Sequence, residues 1–286
     1  MAFSSIAAFR PDSFTLTGCE IHFTNGSCAL RPLRVTILGS GTSMGVPTLG
    51  CHCAVCRSTD PHDQRTRPSL LVEFDGHSVV IDTTPDFRSQ ALRAHLDRLD
   101  AVLFTHGHAD HIMGLDDIRP YNMKQGGAVP IYASPETLAV LKRTFAYIFD
   151  DAPSESSLPG VTLHPIAGNF SLFGVEVIPV RAQHGSNPVL GFRIGGVAYL
   201  TDFSALSEAS KELLHDLDHF ILDALRYTPH PMHSNVEQSL SLVQELKPRH
   251  AWFTHICHDL AHEETNARLP ENVRLSYDGL VLESSI

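Results

Sequence analysis

The 286-residue sequence has no run approaching the ~18–20 apolar residues that span a bilayer, so no transmembrane helix is expected. Its opening stretch, MAFSSIAAFRPDSF, lacks the basic n-region and full apolar h-region of a secretory leader. Positive charge is also scarce. Lys and Arg number 21 against 32 Asp and Glu, a formal charge of −11, whereas a phosphate backbone is held mainly by Lys and Arg. Stable nucleic-acid binding is therefore not expected. Low-complexity tracts and convincing repeats are absent, and Gly and Pro are scattered, which argues against long disorder. The six cysteines (Cys19, Cys28, Cys51, Cys53, Cys56 and Cys257) are not spread like the disulfide framework of a small secreted domain; a reducing cytoplasm fits them better. What the chain has in excess is histidine, 18 in all, and neutral imidazole is the commonest protein ligand for zinc and similar ions.

Residues 1–33 are mixed, carry little charge and end just before a clear strand, so they read as an appendage with no assigned role; residues 34–286 form the main domain. Apolar runs predict strands at Val35–Leu38, Ser69–Phe74, Ser78–Asp82, Ala101–Thr105, Val129–Tyr132, Val175–Val180, Leu190–Ile194, Val197–Thr201, His219–Asp223, Ala251–Thr254 and Arg274–Tyr277. Helical spacing falls near residues 86–96, 135–149, 205–215, 234–246 and 260–267. In the fourth of these, Val236, Leu240, Val243 and Leu246 make an apolar stripe, with Ser234 or Asn235 as N-cap and Pro248 beyond the end. Such a count of strands and helices predicts an α+β architecture of sheets packed face to face with helices outside.

The stretch FTHGHADH places His106, His108, Asp110 and His111 at the end of a buried strand, where rigid scaffolds carry their sites. Four such donors in six positions crowd a single ion, and two metals a few ångströms apart relieve the crowding. A separate loop, GCHCAVC, offers the thiols of Cys51, Cys53 and Cys56; this spacing suits a structural zinc better than disulfides, and it requires a fourth ligand.

H-x-H-x-D-H is the signature of the metallo-β-lactamase superfamily, which the chain therefore resembles. The resemblance implies an αββα sandwich of two mixed β-sheets with helices on the outer faces, and a two-metal site along one edge. It also implies ligands at the ends of later strands, matched by His184 in PVRAQHGS, Asp202 in VAYLTDFS and His255 in AWFTHICH. By that analogy His106, His108 and His184 bind one ion, Asp110, His111 and His255 bind the other, and Asp202 bridges them. Asp82 in SVVIDTTPDF matches the family aspartate that orients the ligand loop by hydrogen bonding.

Within the superfamily, LGSGTSMGVPTLGCHCAVC, the region from RTRPSLLVEF to RSQAL, and FTHICHDL resemble the PhnP-like phosphodiesterase branch over nearly all of residues 34–284. The branch implies that His258 completes the cysteine zinc site, so that His255 and His258 on one short segment serve two metals; Cys257 between them is a bystander. The PqqB group shares a cysteine-bearing start but lacks the intact H-x-H-x-D-H, and the tRNase Z group lacks the cysteine cluster and carries an RNA-binding arm not seen here.

The resemblance implies a small, cyclic phosphodiester as substrate, two divalent cations (zinc or manganese) generating a bridging hydroxide nucleophile, and one structural zinc. His233, before the helix in DALRYTPHPMHSNVEQSL, aligns with the histidine the branch places beside its metals and is assigned as general acid or transition-state stabiliser, with His230 as the second choice; Asp110 is the other residue assigned to catalysis. The branch also suggests a homodimer, and no membrane partner is expected. Other readings are hydrolysis of a thioester, a lactone, a β-lactam or an RNA phosphodiester on the same ligands, and a non-catalytic metal- or nucleotide-binding module.

Overall fold

Strands covered on both faces read as near-continuous apolar runs, and Ser69–Phe74 and His77–Ile81 fold that way, with alternate side chains entering two different cores. A computed structural model of the chain describes residues 31–150 and 156–286. Leu70, Val72, Val79 and Ile81 point into a core between two sheets, where they meet Val177, Phe192, Ile194 and Tyr199. Leu71 and Val80 point the other way, under helices that contribute Phe87, Leu138 and Leu141. On the far face of the second sheet Leu200, Leu222 and Phe253 pack against Val236, Leu242, Val243 and Leu246. The layers are therefore helix, sheet, sheet, helix: the expected αββα sandwich.

The first sheet runs in spatial order Val281–Ser285, Pro32–Gly39, Ser69–Phe74, His77–Ile81, Ala101–Leu103, Val129–Ala133 and Val161–Pro165. The second runs Ala205–Leu206, Val175–His184, Asn187–Ile194, Val197–Leu200, His219–Asp223, His250–Thr254 and Val273–Leu275, with Phe170–Leu172 also paired to Val175–His184. Each sheet is mixed. The last four strands of the first are parallel, as are Val197–Leu200, His219–Asp223, His250–Thr254 and Val273–Leu275 in the second. Parallel neighbours end on the same edge, where α/β sheets carry their sites. The two sheets are joined at that edge by the Leu190 amide donating to the Thr105 carbonyl at 3.0 Å.

Several elements differ from expectation. Pro32 and Leu33, placed in the appendage, pair with Ser285 and Ser284 as the start of the first strand; residues 1–30 lie outside the described residues. The expected helix at 205–215 is a short strand, Ala205–Leu206, followed by a helix over only Glu208–Glu212. The helix expected at 135–149 is interrupted at Phe145. The helix at Val236–Leu246 is capped by Asn235, whose side chain accepts from the Gln238 backbone amide while the Gln238 side chain accepts from the Asn235 backbone amide. Short helices at Ala109–Ile112 and Arg119–Gln125 were not expected. Among the described residues no helix is long and apolar enough to cross a membrane.

The loop after the first strand is fixed by one buried acid. The Asp278 carboxylate accepts from the Ser40 amide and hydroxyl (2.9 Å each) and from the Thr66 amide and hydroxyl (2.9 and 2.6 Å). Gly39 lets these segments close: a Cβ there would lie 1.9 Å from the Arg67 carbonyl oxygen and 2.5 Å from Gln90 Nε2. Gly39→Ala is expected to lose about 3 kcal/mol of stability, read as a lower urea midpoint at unchanged m-value; a midpoint equal to wild type would contradict this packing.

Candidate metal centre

Asp82 and several candidate ligands lie at or just past the ends of strands, where the chain turns sharply. Asp82 follows His77–Ile81, Asp202 lies just past Val197–Leu200, and His255 follows His250–Thr254; all three take left-handed backbone with φ of 65, 54 and 56°. Non-glycine residues rarely sit there, and when over-determined by their surroundings they mark functional turns. His184 is the last residue of Val175–His184, and His108 is the N-cap of the short helix that carries Asp110 and His111.

These turns bring the residues together as three groups of donor atoms, each group within 4.8 Å: His106, His108 and His184; Asp110, His111, Asp202 and His255; and Cys51, Cys53, Cys56 and His258. Asp202 also lies within that range of His184, so it reaches both histidine groups. His111 Nε2 is 3.3 Å from Asp110 Oδ2 and 3.2 Å from Asp202 Oδ2, and His255 Nε2 is 3.2 Å from Asp202 Oδ1.

The donor set fits cations. The Nε2 atoms of His106, His111 and His255 are buried and make no hydrogen bond among the described residues, an arrangement that is costly unless something else satisfies them. Ligands about 2.1 Å from one ion stand roughly 3.0–3.4 Å apart, close to the separations around His111 and His255. Charge points the same way. Burial alone would lower His111, yet Asp202, Asp110 and Asp82 raise it well above its ordinary value, which shows how much negative charge the pocket concentrates. Burial, reinforced by His111, holds His106 well below its usual value, so its imidazole is neutral and able to ligate.

The ring orientations are set from behind. Asp82, fully buried, accepts from His111 Nδ1 at 2.7 Å and from the Thr105 amide and hydroxyl at 2.8 and 2.7 Å. His184 Nδ1 donates to the Met232 carbonyl at 2.7 Å. Each bond leaves the opposite ring nitrogen for the pocket.

His233 stands at the rim, its ring centroid 4.6 Å from those of both His184 and His255, and its Nδ1 donates to Asp223 at 2.8 Å. Sequence reasoning missed Asp223. The only signal is an acid at the end of an apolar strand, FILDAL, which is also what an isolated structural aspartate looks like. His230 is turned differently: its Nδ1 accepts the Met232 amide at 3.2 Å, and its ring lies 5.0 Å from that of His233. A cavity of about 340 Å³ opens beside this rim, lined by Met44, Leu225, Arg226, His230, His233 and Asp259 among others.

The cysteine group is a second arrangement. The Cys51, Cys53 and Cys56 sulfurs lie 3.2, 3.6 and 3.3 Å from His258 Nδ1, and a tetrahedral zinc with Zn–S of about 2.3 Å and Zn–N of about 2.0 Å would separate S and N by about 3.5 Å. The Cys56 amide holds the Cys53 thiol below its usual value, while burial pushes Cys56 up to about 11. Thiolates so close repel one another, and a dication relieves that repulsion. Cys257 points elsewhere, its sulfur accepting the Asp259 amide at 3.4 Å.

The sequence matches the β-lactamase superfamily domain over residues 77–256. A crystal structure of a diphosphatase from the PhnP family superposes with a TM-score of 0.85 at 51% identity, covering 90% of this chain and 99% of that one. Zinc-bound PqqB from Methylobacterium extorquens shares the fold at a TM-score of 0.71 and 20% identity, over 87% of this chain and 99% of that one. An octanoyltransferase of Porphyromonas gingivalis is 40% identical over 256 residues, which cover 87% of this chain and 51% of that protein; the chain thus spans about half the length of this relative.

The Asp82 carboxylate is bonded to Thr105 and His111, so Asp82→Asn is expected to weaken retention of divalent metal at the histidine groups about 10–100-fold, measured by competition with a chelator, while the fold survives. Unchanged retention would contradict the orienting role.

Proposed function

Because this chain belongs to the β-lactamase superfamily, as a hydrolase of its PhnP-like branch, we propose that it cleaves a small phosphodiester at a two-metal site formed by His106, His108, Asp110, His111, His184, Asp202 and His255. The observation that carries the phosphoryl reading is the 51% identity to a PhnP-family diphosphatase whose chain is covered almost completely. The octanoyltransferase name belongs to a protein about twice as long, so it weighs less here. A cyclic phosphodiester and a disubstituted diphosphate share the same reacting centre, a phosphorus with two bridging oxygens, and the cavity size suits either.

The fold family implies divalent cations, and zinc or manganese would supply acidified water and charge stabilisation on the phosphoryl oxygens. The chain's own groups do the rest. His106, His108 and His184 present three imidazoles, and Asp110, His111 and His255 present a mixed set, with Asp202 between them. His233 is the general acid: its Nδ1–H is held by Asp223, which stabilises the imidazolium, and its Nε2–H is available to protonate the departing oxygen. Asp223, fully buried, holds the ring through Oδ2, while its Oδ1 has no hydrogen-bond partner among the described residues and lies 3.8 Å from His255 Nδ1. The Cys51, Cys53, Cys56 and His258 group would hold a structural zinc, which would brace the segment carrying His255.

Asp110→Ala and His108→Ala are expected to abolish metal-dependent turnover of bis(p-nitrophenyl) phosphate, a 2′,3′-cyclic nucleotide and a disubstituted diphosphate, assayed beside a thioester and a lactone. Faster turnover of the acyl substrates would favour the acyl-ester reading. His233→Ala is expected to slow alkoxide leaving groups by about 10²–10⁴-fold but p-nitrophenolate far less, since a good leaving group needs no proton. Equal losses for both would remove the general-acid role.

A further inference from the structure

Outside the two sites described, the turn at Pro61–Asp63 and the helix at His262–Asn266 bring His62, His262 and Glu263 together, with ligand atoms within 4.8 Å of one another. We propose that these three residues form a further binding site for a divalent transition-metal ion of the zinc class, at the surface beside the cysteine loop.

Two observations separate this cluster from an incidental pair of histidines. His262 is 4% exposed, and its Nδ1 is buried without a hydrogen-bond partner among the described residues, an atom that a cation would satisfy. Both histidines are also pinned through their backbones: the His62 amide donates to Asp60 and the His262 amide to Asp63, each at 2.9 Å. The rings are set 4.5 Å apart between centroids, with the Tyr277 ring 4.1 Å from His62 and tilted by 37° as a wall. Their positions are therefore fixed before any ion arrives, which lowers the ordering cost of binding.

The electrostatics allow a cation. Arg65 is the nearest fixed positive charge, but it is paired with Asp63 at 2.9 Å and donates to the carbonyls of His62, Cys257 and Leu260. Asp60, 3.6 Å from His62 Nδ1, and Glu263 add negative charge on the solvent side. Burial, then His62 and Arg65, lower His262 to about 4, so it is a neutral ligand at pH 7. Two imidazoles and one carboxylate suit zinc, nickel or copper better than magnesium or calcium. The exposed Glu263 can swing to close the remaining gap, and the open face leaves room for water. The ion would staple residues 60–63 to 262–263, the segments that flank the cysteine loop and His258.

The test uses full-length protein carrying its resident metals, dialysed against zinc in the micromolar range and analysed for metal per chain, with thermal melting in parallel. Wild type is expected to take up one more zinc ion than the His62→Asn, Glu263→Gln double variant, and to gain thermal stability with added zinc that the variant does not. Both should keep the same resident metals and the same hydrolytic rate, which shows that the variant is folded. Equal zinc uptake and equal thermal shifts in the two proteins would overturn the proposal. So would a variant that loses resident metal, since the cluster would then belong to the cysteine site.

Discussion

A single buried carboxylate fixes the geometry on which the site depends. Asp82 sits in a left-handed turn at the end of a central strand and accepts three hydrogen bonds, two from Thr105 and one from His111. The first two tie the end of one parallel strand to the loop following the next; the third sets the ring of His111. Burial pushes the Asp82 carboxyl up, and the His111 imidazole with the Thr105 donors offsets part of that cost. A half-satisfied acid at such depth would be costly, so this network is all or nothing.

The opposite wall of the pocket is held by different means. Fully buried Arg65 donates to the Cys257 and Leu260 carbonyls, and the Ile256 amide donates to Ser40, so the segment bearing His255 is anchored to the first sheet from both sides. His258 on that same segment faces the three cysteine sulfurs. The placements of His255 and His258, each in a different donor group, are thus consequences of one stretch of backbone. Small displacements of such a ligand matter, because catalytic groups need positions good to a fraction of an ångström.

How much of this was legible beforehand depended on how local the signal was. His106, His108, Asp110 and His111 are dense enough to be seen without a fold. His184, Asp202 and His255 are single residues that the resemblance picks out, and their convergence depends on strands far apart in sequence ending at one edge. The local signal of Asp223, an acid ending an apolar strand, is unspecific, since its meaning comes from His233 ten residues later. The strands Val161–Pro165 and Val281–Ser285 were missed because they lie at sheet edges and mix exposed with covered positions, which dilutes the apolar pattern. The helix at Ala109–Ile112 was hidden by the ligands themselves: polar residues chosen for the site displaced the periodicity that marks a helix.

The central claim is that hydrolysis belongs to two cations held by the histidine and aspartate set, with a separate ion in the cysteine loop. Metal analysis during stepwise chelation, with phosphodiester turnover followed on the same samples, tests it most directly. The account predicts that two labile ions per chain leave together with activity and restore it on return, while one zinc ion resists. Turnover that persists after the labile ions are gone would contradict it.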